Sequence, residues 1–517
     1  MSAVVLSPAR RFLLLVSVSV CAASGLVYEL ALISLSAVLA GGSVVETSLI
    51  VAGFVAALGL GALAAKPLLT RAEVAFLSVE ALLGLVGGLS ALVLYWAFAV
   101  VGNSLAVLGG ATLVIGMLVG AELPLLMTLF QRGKLVDATT SGSVLATLNA
   151  ADYLGALIGG VAWPFVLLPF LGVVRGTLAA GLLNVCAALV IAVLVLRRDV
   201  PRRQFAAIAS GLCAIVVVLV SVLVASDGLV TSARQRLYAF PIVYFHQSKY
   251  QEIVVTQWGK DRRLFLNGGL QYSTRDEYRY TESLTYPVVD ASTSRVLIIG
   301  GGDGLAAREL LKFPQVKHIT QVELDPDMVA VANSVLRDDN AGALGDPRVT
   351  VLLRDAFTWV RTPPLPQDRF DAIVVDLPDP DNEIIGRLYS QEFYSMLLKH
   401  LAPGGAMTVQ SGSAFTTPDV FSRVYSTLLA SGCASVVPYH VHVPTFGDWG
   451  FNFCTRTSRG LVMPKTPAHT PRFVDQGVLD AARVFGADNK PRLLPANTLD
   501  RPLIVADRRR GYRQAGE

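Results

Sequence analysis

Residues 295–304 read Arg-Val-Leu-Ile-Ile-Gly-Gly-Gly-Asp-Gly. Arg295 is followed by four apolar, largely β-branched residues, a run that is typical of a buried strand, and a helix is predicted to begin near Leu305. A strand, a glycine-rich turn and a helix in this order bring backbone N–H groups and a helix N-terminus to a ligand in open α/β sheets. Because a glycine-rich turn alone is often only a tight turn, the interpretation depends on the residues that follow.

Acidic residues accompany the next three predicted strands. Glu323 lies in the second strand, 20 residues after Asp303, while Asp355 and Asp376 follow the third and fourth strands. The carboxyl ends of parallel strands meet at one edge of a sheet, where ligands bind in this architecture. An acid at the position of Glu323 typically accepts hydrogen bonds from ribose hydroxyls. The pattern predicts a nucleoside site.

The charge of this predicted site narrows the class of ligand. The acids near it are Asp303, Glu323, Asp355, Asp376, Asp379, Asp381 and Glu383. The sequence here has neither a Gly-Lys-Ser phosphate loop nor a cluster of basic residues. Such a lining repels a diphosphate and attracts a cationic nucleoside and an amine. The sequence therefore argues against a nicotinamide dinucleotide and for a sulfonium nucleoside.

The first 228 residues have a different composition. The whole chain of 517 residues is 53% hydrophobic and 16% charged, unlike soluble proteins. Residues 1–228 carry 11 Lys and Arg and nine Asp and Glu, whereas 229–517 carry 32 and 30. The net charge of +4 is too small to indicate nucleic-acid binding. The N-terminal part is therefore predicted to be embedded in a lipid bilayer, and five cysteines are too few for a disulfide-rich scaffold.

Seven apolar runs in this part are long enough to cross a bilayer. They cover about 12–38, 45–65, 74–100, 104–130, 143–170, 174–196 and 206–226. Ten basic loop residues fall on one side of these spans, and Arg175 falls on the other. The ten are Arg10, Arg11, Lys66, Arg71, Arg132, Lys134, Arg197, Arg198, Arg202 and Arg203. This bias predicts a multi-pass cell-membrane protein with a cytoplasmic N-terminus.

Carboxylates such as Glu29, Glu122 and Asp152 fall inside these predicted spans. Carboxylates are costly in a bilayer and usually face the bundle interior. They are interpreted either as a polar path or binding site for a cationic solute, or as residues that only form hydrogen bonds between helices, and the second interpretation is favoured.

The predicted fold is an all-α multi-span membrane bundle of about seven helices, followed by an α/β Rossmann-like nucleoside-binding domain with a small N-terminal β-hairpin subdomain. The three predicted domains are the bundle at 1–228, the β-strand subdomain at 229–290 and the catalytic domain at 291–517. Strands are predicted within the subdomain at 242–245, 251–257 and 263–266, with a helix at about 277–290.

The order and spacing of several motifs over residues 240–455 resemble the spermidine synthase (polyamine aminopropyltransferase) family, and the whole chain resembles its membrane-fused members. The motifs are Tyr250-Gln251, Gly268 to Gln271, Arg275-Asp276-Glu277 through Tyr280, Gly300 to Gly304, Glu323, Asp355, Asp376-x-x-Asp379-Pro380, Leu388-Tyr389-Ser390-x-x-Phe393-Tyr394 and Leu401-x-Pro403-Gly404-Gly405.

The resemblance implies transfer of an aminopropyl group from decarboxylated S-adenosylmethionine, a co-substrate, to putrescine, with no separate cofactor and no metal. By matching position, Asp376 is the proton acceptor and Asp379 holds the amine chain. The other matching positions are Asp303 and Gln251 at the donor's aminopropyl end, Glu323 at the ribose, Asp355 and Ala356 at the adenine, Tyr280 and Gln271 where the substrates meet, Thr281 beside them, and Gln410 on the amine side. A homo-oligomer is also expected from the resemblance.

The acceptor half departs from the family pattern, which leaves another amine acceptor open. The departures are Thr281 in place of His or Gln, Asn267 in place of Asp, Phe446 in place of Tyr, and Asp381-Asn382-Glu383 after the Asp-Pro pair. Structural roles are also open for some motif residues. Asp276 and Glu277 are expected mainly to cap the next helix, and Gln410 to be a strand-end polar group as readily as a ligand. Tyr389 and Phe393 are expected in the core.

Two other functions remain open at this point. One is an S-adenosylmethionine-dependent methyltransferase, and the other is a membrane polyamine transporter or sensor whose soluble part only binds the amine. The location of the catalytic domain is also open. The donor is expected in the cytoplasm, but seven spans and a cytoplasmic N-terminus place everything after residue 228 outside, where Cys433 and Cys454 are able to pair.

Overall fold

The computed structural model describes residues 8–40, 44–101, 105–131, 138–197, 200–457, 460–464 and 470–515. The chain forms two compact units, Met1–Ala239 and Phe240–Glu517. Among the basic residues used to orient the bundle, Arg132, Lys134 and Arg198 lie outside the described residues.

The N-terminal unit is a bundle of long apolar helices. They are α1 Pro8–Ala40, α2 Val44–Ala64, α3 Ala72–Val101, α4 Leu105–Gln131, α5 Ala138–Ala162, α6 Leu168–Ile191 and α7 Arg202–Arg236. A 3-10 turn, Lys66–Arg71, precedes α3, and π-helical turns follow α5 (Trp163–Leu167) and α6 (Ala192–Leu196).

Six segments of the described chain are long and apolar enough to cross a membrane. They are Phe12–Ser36, Thr47–Ala64, Lys66–Val100, Ala106–Gln131, Gly142–Leu196 and Arg202–Arg236. The count of seven spans is therefore not confirmed. The difference arises at Gly142–Leu196, 55 residues long, which contains both the fifth and the sixth predicted spans. Within it, Gly172 has a φ of 71°, so the helical path is broken there.

Acidic side chains lie in the bundle core. Glu122 is buried, as the sequence suggested for an intramembrane acid, whereas Glu29 and Asp152 are partly exposed. The sequence analysis did not single out Glu80, which is fully buried and accepts a hydrogen bond of 2.8 Å from the amide of Asn184. A lone acid inside the predicted span 74–100 was the signal that could have identified it.

The C-terminal unit begins with an antiparallel four-stranded sheet within the described residues, in the order β1-β2-β3-β4. Its strands are β1 Ile242–Gln247, β2 Glu252–Trp258, β3 Asp261–Leu266 and β4 Gly269–Ser273. The first three agree with the predicted strands, and β4 was not predicted. Helix α8 (Glu277–Thr285) is followed by a 3-10 turn, Tyr286–Val288, so the predicted helix is shorter than expected.

The main sheet has seven strands in the described chain, in the order β10-β11-β9-β8-β5-β6-β7. The strands are β5 Arg295–Gly300, β6 His318–Glu323, β7 Val349–Leu353, β8 Phe370–Asp376, β9 Leu401–Ser413, β10 Ser435–Val443 and β11 Gly447–Thr455. Strands β5 to β9 are parallel, and β10 and β11 extend the sheet antiparallel. This confirms the predicted Rossmann-like α/β architecture.

The helices of this unit are α9 Leu305–Leu311, α10 Pro326–Asn333, α11 Ala356–Trp359, α12 Glu383–Gly386, α13 Gln391–Lys399, α14 Pro418–Ala430, α15 Gln476–Ala481 and α16 Leu503–Ala515. Since β6 lies on one side of β5 and β8 on the other, the chain changes direction across the sheet at β5. Ligands bind in the crevice at such a point, outside the carboxyl ends of the strands.

A disulfide joins Cys433, just before β10, to Cys454 in β11, with the two Cα atoms 5.8 Å apart. The pairing that the sequence left open is therefore present. It connects the two antiparallel strands at the edge of the main sheet.

The turn after β5 depends on glycine. Gly300 has a φ of 80°, and a Cβ atom placed on it would lie 2.1 Å from the carbonyl oxygen of Asp376. That oxygen accepts a hydrogen bond of 2.9 Å from the N–H of Gly301. The glycine therefore allows the backbones of β5 and β8 to approach closely at the crevice.

Replacing Gly300 with Ala is expected to destabilise the C-terminal unit by at least about 1–3 kcal/mol through backbone strain, with the steric clash in addition. The measurement is the Tm of the purified full-length protein. Gly345→Ala is the matched control, because a Cβ atom placed on Gly345 would meet no neighbouring group of the described chain within 4 Å. Equal Tm values for the two variants would contradict this account of Gly300.

Candidate active site

Asp376 ends β8 and lies at the centre of the crevice. Its Oδ1 accepts a hydrogen bond of 2.6 Å from the hydroxyl of Tyr280. The Tyr280 ring packs against Phe446, Trp449 and Phe451, with ring centroids 6.0, 6.5 and 5.3 Å away. Burial raises the pKa of Asp376 to about 6, although the Tyr280 hydrogen bond acts in the opposite direction. Asp376 is thus a carboxylate that Tyr280 holds in place and whose pKa is raised toward neutral pH.

Asp303 lies in the glycine-rich turn across the crevice from Asp376. Its Oδ1 accepts a hydrogen bond of 2.8 Å from the N–H of Leu305, at the start of α9. Burial, followed by the negative charge of Asp376, raises the pKa of Asp303 to about 7. Two carboxylates that repel each other in this way favour a positively charged ligand between or beside them.

Glu323 ends β6 and faces the same turn. Its Oε1 accepts hydrogen bonds from the N–H groups of Leu324 (2.7 Å) and Asp325 (2.9 Å). Its Oε2 would lie 2.8 Å from a Cβ atom on Gly302, so the turn passes closely over this carboxylate. Burial raises the pKa of Glu323 to about 7. Hydrogen bonds to the backbone therefore fix Oε1 of Glu323, whereas Oε2 lies next to Gly302 in the glycine-rich turn.

Asp355 and Ala356 follow β7 at the next position along the edge. Asp355 caps α11, because its Oδ1 accepts a hydrogen bond of 2.7 Å from the N–H of Thr358. Its Oδ2 pairs with Arg387 at 2.5 Å. Ala356 is the first residue of α11 and is buried. Sequence reasoning did not identify Arg387, because 32 residues separate it from Asp355.

The amide and hydroxyl residues predicted near the substrates have protein partners. Gln251 donates to Asp325 Oδ2 at 2.9 Å, and Gln271 donates to the carbonyl of Gly269 at 3.1 Å. Thr281 donates to the carbonyl of Glu277 at 3.0 Å, inside α8. The Gln251 contact joins the β-strand subdomain to the turn after β6, whereas the Gln271 and Thr281 contacts are local, within β4 and α8.

Gln410 lies in β9 and is held at both ends of its amide. Its Nε2 donates to the carbonyl of Leu377 at 2.6 Å and also bonds to the hydroxyl of Tyr389, while its Oε1 accepts from the N–H of Gly412 at 3.0 Å. These contacts are the ones expected if Gln410 is a strand-end polar group with partners in the protein. Tyr389 and Phe393 are fully buried, as expected for core residues.

The prediction that the Asp276 side chain caps α8 is wrong. Asp276 occupies the N-cap of α8 but makes no capping hydrogen bond with its side chain. Its carboxylate instead accepts hydrogen bonds from the N–H (2.7 Å) and hydroxyl (2.8 Å) of Thr445. Glu277 pairs with Arg308 at 2.7 Å. The Asp276 carboxylate thus bonds to a residue 169 positions away in the sequence instead of to the N–H groups of α8.

Asp379 lies beyond Asp376 and is in contact with α16. Its Oδ2 accepts a hydrogen bond of 3.2 Å from the Tyr512 hydroxyl and lies 3.6 Å from Nε of Arg508. Arg508 Nη2 also lies 3.9 Å from Asp381 Oδ2. The sequence motifs gave no sign that Arg508, in the last helix of the chain, belongs to this site.

The site is therefore a crevice at the carboxyl ends of parallel strands, lined by Asp303, Glu323 and Asp376 and continued by Asp379. The backbone positions each carboxylate, and their burial favours a cationic ligand. This arrangement is that of an α/β protein with a ligand site at the strand ends, whose charge favours a cation over an anion.

Comparisons with known proteins identify the family. The spermine/spermidine synthase domain matches residues 277–464. The polyamine aminopropyltransferase of Corynebacterium efficiens is 63% identical over 514 residues, which cover 99% of this chain and 98% of that protein. The polyamine aminopropyltransferase of Mycobacterium tuberculosis is 54% identical over 507 residues, which cover 97% of each. A solved spermidine synthase from Thermotoga maritima is 23% identical, with a TM-score of 0.43, over 47% of this chain and 84% of that one.

The chain belongs to the polyamine aminopropyltransferase family. The resemblance found in the sequence is thereby confirmed, and it extends over both units.

The raised pKa of Glu323 predicts a pH dependence of stability. Between its ordinary pKa of 4.5 and the folded value of about 7, the folded state binds more protons than the unfolded state. The contribution of Glu323 to stability therefore falls as pH rises through this range. The Tm of full-length Glu323→Gln, measured relative to that of wild type, is expected to increase as pH rises from 4.5 to 7. Asp338→Asn, at an exposed carboxyl, is the control, and a pH-independent difference for Glu323→Gln would refute the prediction.

Proposed function

We propose that this enzyme transfers the aminopropyl group of decarboxylated S-adenosylmethionine to putrescine, giving spermidine and methylthioadenosine. The observation that supports this most is the crevice of buried carboxylates at Asp303, Glu323 and Asp376, whose pKa values of about 6 to 7 favour a cation. The sulfonium donor and the amine are both cationic in their common forms.

The reaction is a displacement at the propyl carbon attached to sulfur. The amine nitrogen forms a bond to that carbon, and the C–S bond breaks with its electron pair going to sulfur, which becomes a neutral thioether. A proton leaves the nitrogen. Because the sulfonium is already a good leaving group, the enzyme has to align the partners and supply a neutral nucleophile.

Asp376 is the proposed proton acceptor. It is ionised above a pH of about 6, and Tyr280 orients its Oδ1. The ionised carboxylate is able to accept the proton that the amine nitrogen loses, and this leaves the nitrogen lone pair free to form the new bond to carbon. Asp379, further along the same loop, is proposed to face the remainder of the acceptor.

The donor is proposed to lie along the strand ends. Asp303 faces its aminopropyl end, the free side of Glu323 faces the ribose, and Asp355 with Ala356 faces the adenine. The closeness of the turn to Glu323 supports this order, because the glycines remove side chains that would otherwise occupy the space. Gln251, Gln271, Tyr280, Thr281 and Gln410 are proposed to shape the pocket around the reacting groups.

Asp376→Asn is expected to lower kcat by about 10²–10⁴-fold, because the amide cannot accept the proton. The measurement is methylthioadenosine formation by full-length protein with decarboxylated donor and a panel of diamines. The matched control is Asp338→Asn, at an exposed side chain outside the proposed site. Formation of S-adenosylhomocysteine from S-adenosylmethionine, with no methylthioadenosine from the decarboxylated donor, would instead identify a methyltransferase.

We further propose that the bundle spans a membrane and that the catalytic unit lies outside the cytoplasm. Gly142–Leu196 spans roughly 80 Å at about 1.5 Å per residue, more than twice the thickness of the bilayer core. With the break at Gly172, this segment is suited to crossing twice. The Cys433–Cys454 disulfide supports the external location, since disulfides persist in oxidising compartments.

A phosphatase fused after residue 515 is therefore expected to be active, because that reporter functions only outside the cytoplasm. The same reporter fused after Arg71, in a predicted cytoplasmic loop, is expected to be inactive. An inactive C-terminal fusion together with an active C-terminal fluorescent reporter would contradict both the count of seven crossings and the external location.

A further inference from the structure

Helix α16 presents two side chains to the acid that is proposed to face the acceptor. Arg508 and Tyr512 are four residues apart and so lie on one face of the helix. Tyr512 donates to Asp379 Oδ2 at 3.2 Å, Arg508 Nε lies 3.6 Å from the same oxygen, and the guanidinium lies 4.7 Å from the centre of the Tyr512 ring. The carboxylate of Asp379 thus has a positively charged side chain of the protein beside it.

This contact is part of a packed interface. Asp507, the residue before Arg508, is buried and forms an ion pair with the buried Arg423 of α14. Ile504 and Val505 are also buried. The helix passes so close to Thr416 that a Cβ atom on Gly511 would lie 2.7 Å from its carbonyl oxygen. These contacts fix the position of the helix, and therefore of the guanidinium.

The charge of Arg508 is also fixed. A guanidinium stays protonated at any physiological pH, and the neighbouring Asp381 and Asp379 raise the pKa of Arg508 further against the effect of burial. The side chains of Arg508 and Asp379 are only 25% and 15% exposed, so water screens their interaction incompletely. An ammonium group that approaches Asp379 therefore meets a carboxylate whose charge is already offset in part, since the same guanidinium also faces Asp381.

Asp379 nevertheless keeps an unused hydrogen-bond acceptor. Its Oδ1 is buried and has no hydrogen-bond partner among the described residues. The Arg508 contact at 3.6 Å is an ion pair without a hydrogen bond at this nitrogen. The carboxylate thus keeps one oxygen for the acceptor, while the guanidinium opposes a second positive charge.

We propose that Arg508 is a specificity-determining residue that weakens the preference for acceptors with a second ammonium group at the Asp379 end of the site. This inference rests on the proposed function. The acceptor subsite then discriminates less between a diamine and a monoamine of the same length than an unpaired Asp379 would.

The test compares putrescine with n-butylamine, which has the same chain length but lacks the second nitrogen. The quantity measured is the ratio of their kcat/KM values in methylthioadenosine formation by the full-length protein. In Arg508→Gln this ratio is expected to rise by about tenfold in favour of putrescine, mainly through KM, because removing a cation next to a partly buried carboxylate strengthens its attraction for an ammonium.

Three variants make the result interpretable. Arg513→Gln removes an exposed arginine of the same helix and is expected to keep the wild-type ratio. Arg508→Lys retains the positive charge and is expected to keep most of the wild-type ratio, which a merely structural role of the guanidinium would not predict. In an Asp379→Asn background, Arg508→Gln is expected to change the ratio much less, because the carboxylate on which the guanidinium acts is gone.

The two proposals fail in different ways. If wild type forms no methylthioadenosine with any amine, the proposed function is wrong and this inference fails with it. If wild type is active and Arg508→Gln keeps the wild-type ratio, only the role of Arg508 is refuted. Should Arg508→Gln fail to fold, Arg508→Lys and Arg508→Met are measured in its place, and equal ratios in those two variants would overturn the proposal.

Discussion

Burial of several carboxylates in one place is the constraint on which this site depends. Asp303, Glu323 and Asp376 lie at the ends of neighbouring elements, and burial, to which the charges of nearby acids add, disfavours the charged form of each one. Backbone N–H groups and the Tyr280 hydroxyl compensate only in part. Such an arrangement costs stability in the free protein and favours a cation over an anion beside the carboxylates.

The sheet makes this arrangement possible because it brings residues far apart in sequence to one edge. Parallel pairing places Gly300 beside Asp376 and Glu323 beside Leu353. The glycines then let the turn pass close to both acids. A shift of one residue in either pairing would turn the carboxylates to the other face, and for that reason strand register matters as much as the identity of the acids.

The sequence was sufficient to predict that these acids lie together at one edge of the sheet. They follow or end apolar runs, and the carboxyl ends of parallel strands meet at the same edge. The sequence was insufficient where a contact joins two side chains that are far apart in the chain. Asp276 bonds to Thr445, Asp355 pairs with Arg387, and Arg508 reaches Asp379 from the last helix of the chain. No local pattern encodes these contacts. The β4 strand was missed for another reason, because its five residues carry little alternation.

Tyr280 connects the central carboxylate to a cluster of aromatic side chains. Phe446, in the turn before β11, and Trp449 and Phe451, in β11, carry no ionisable group, yet they pack against the phenol that bonds to Asp376. A change in the size or shape of one of these rings would move the phenol and thereby alter the pKa of Asp376, although every acid stayed the same. Comparing only the carboxylates of two such enzymes would overlook that difference.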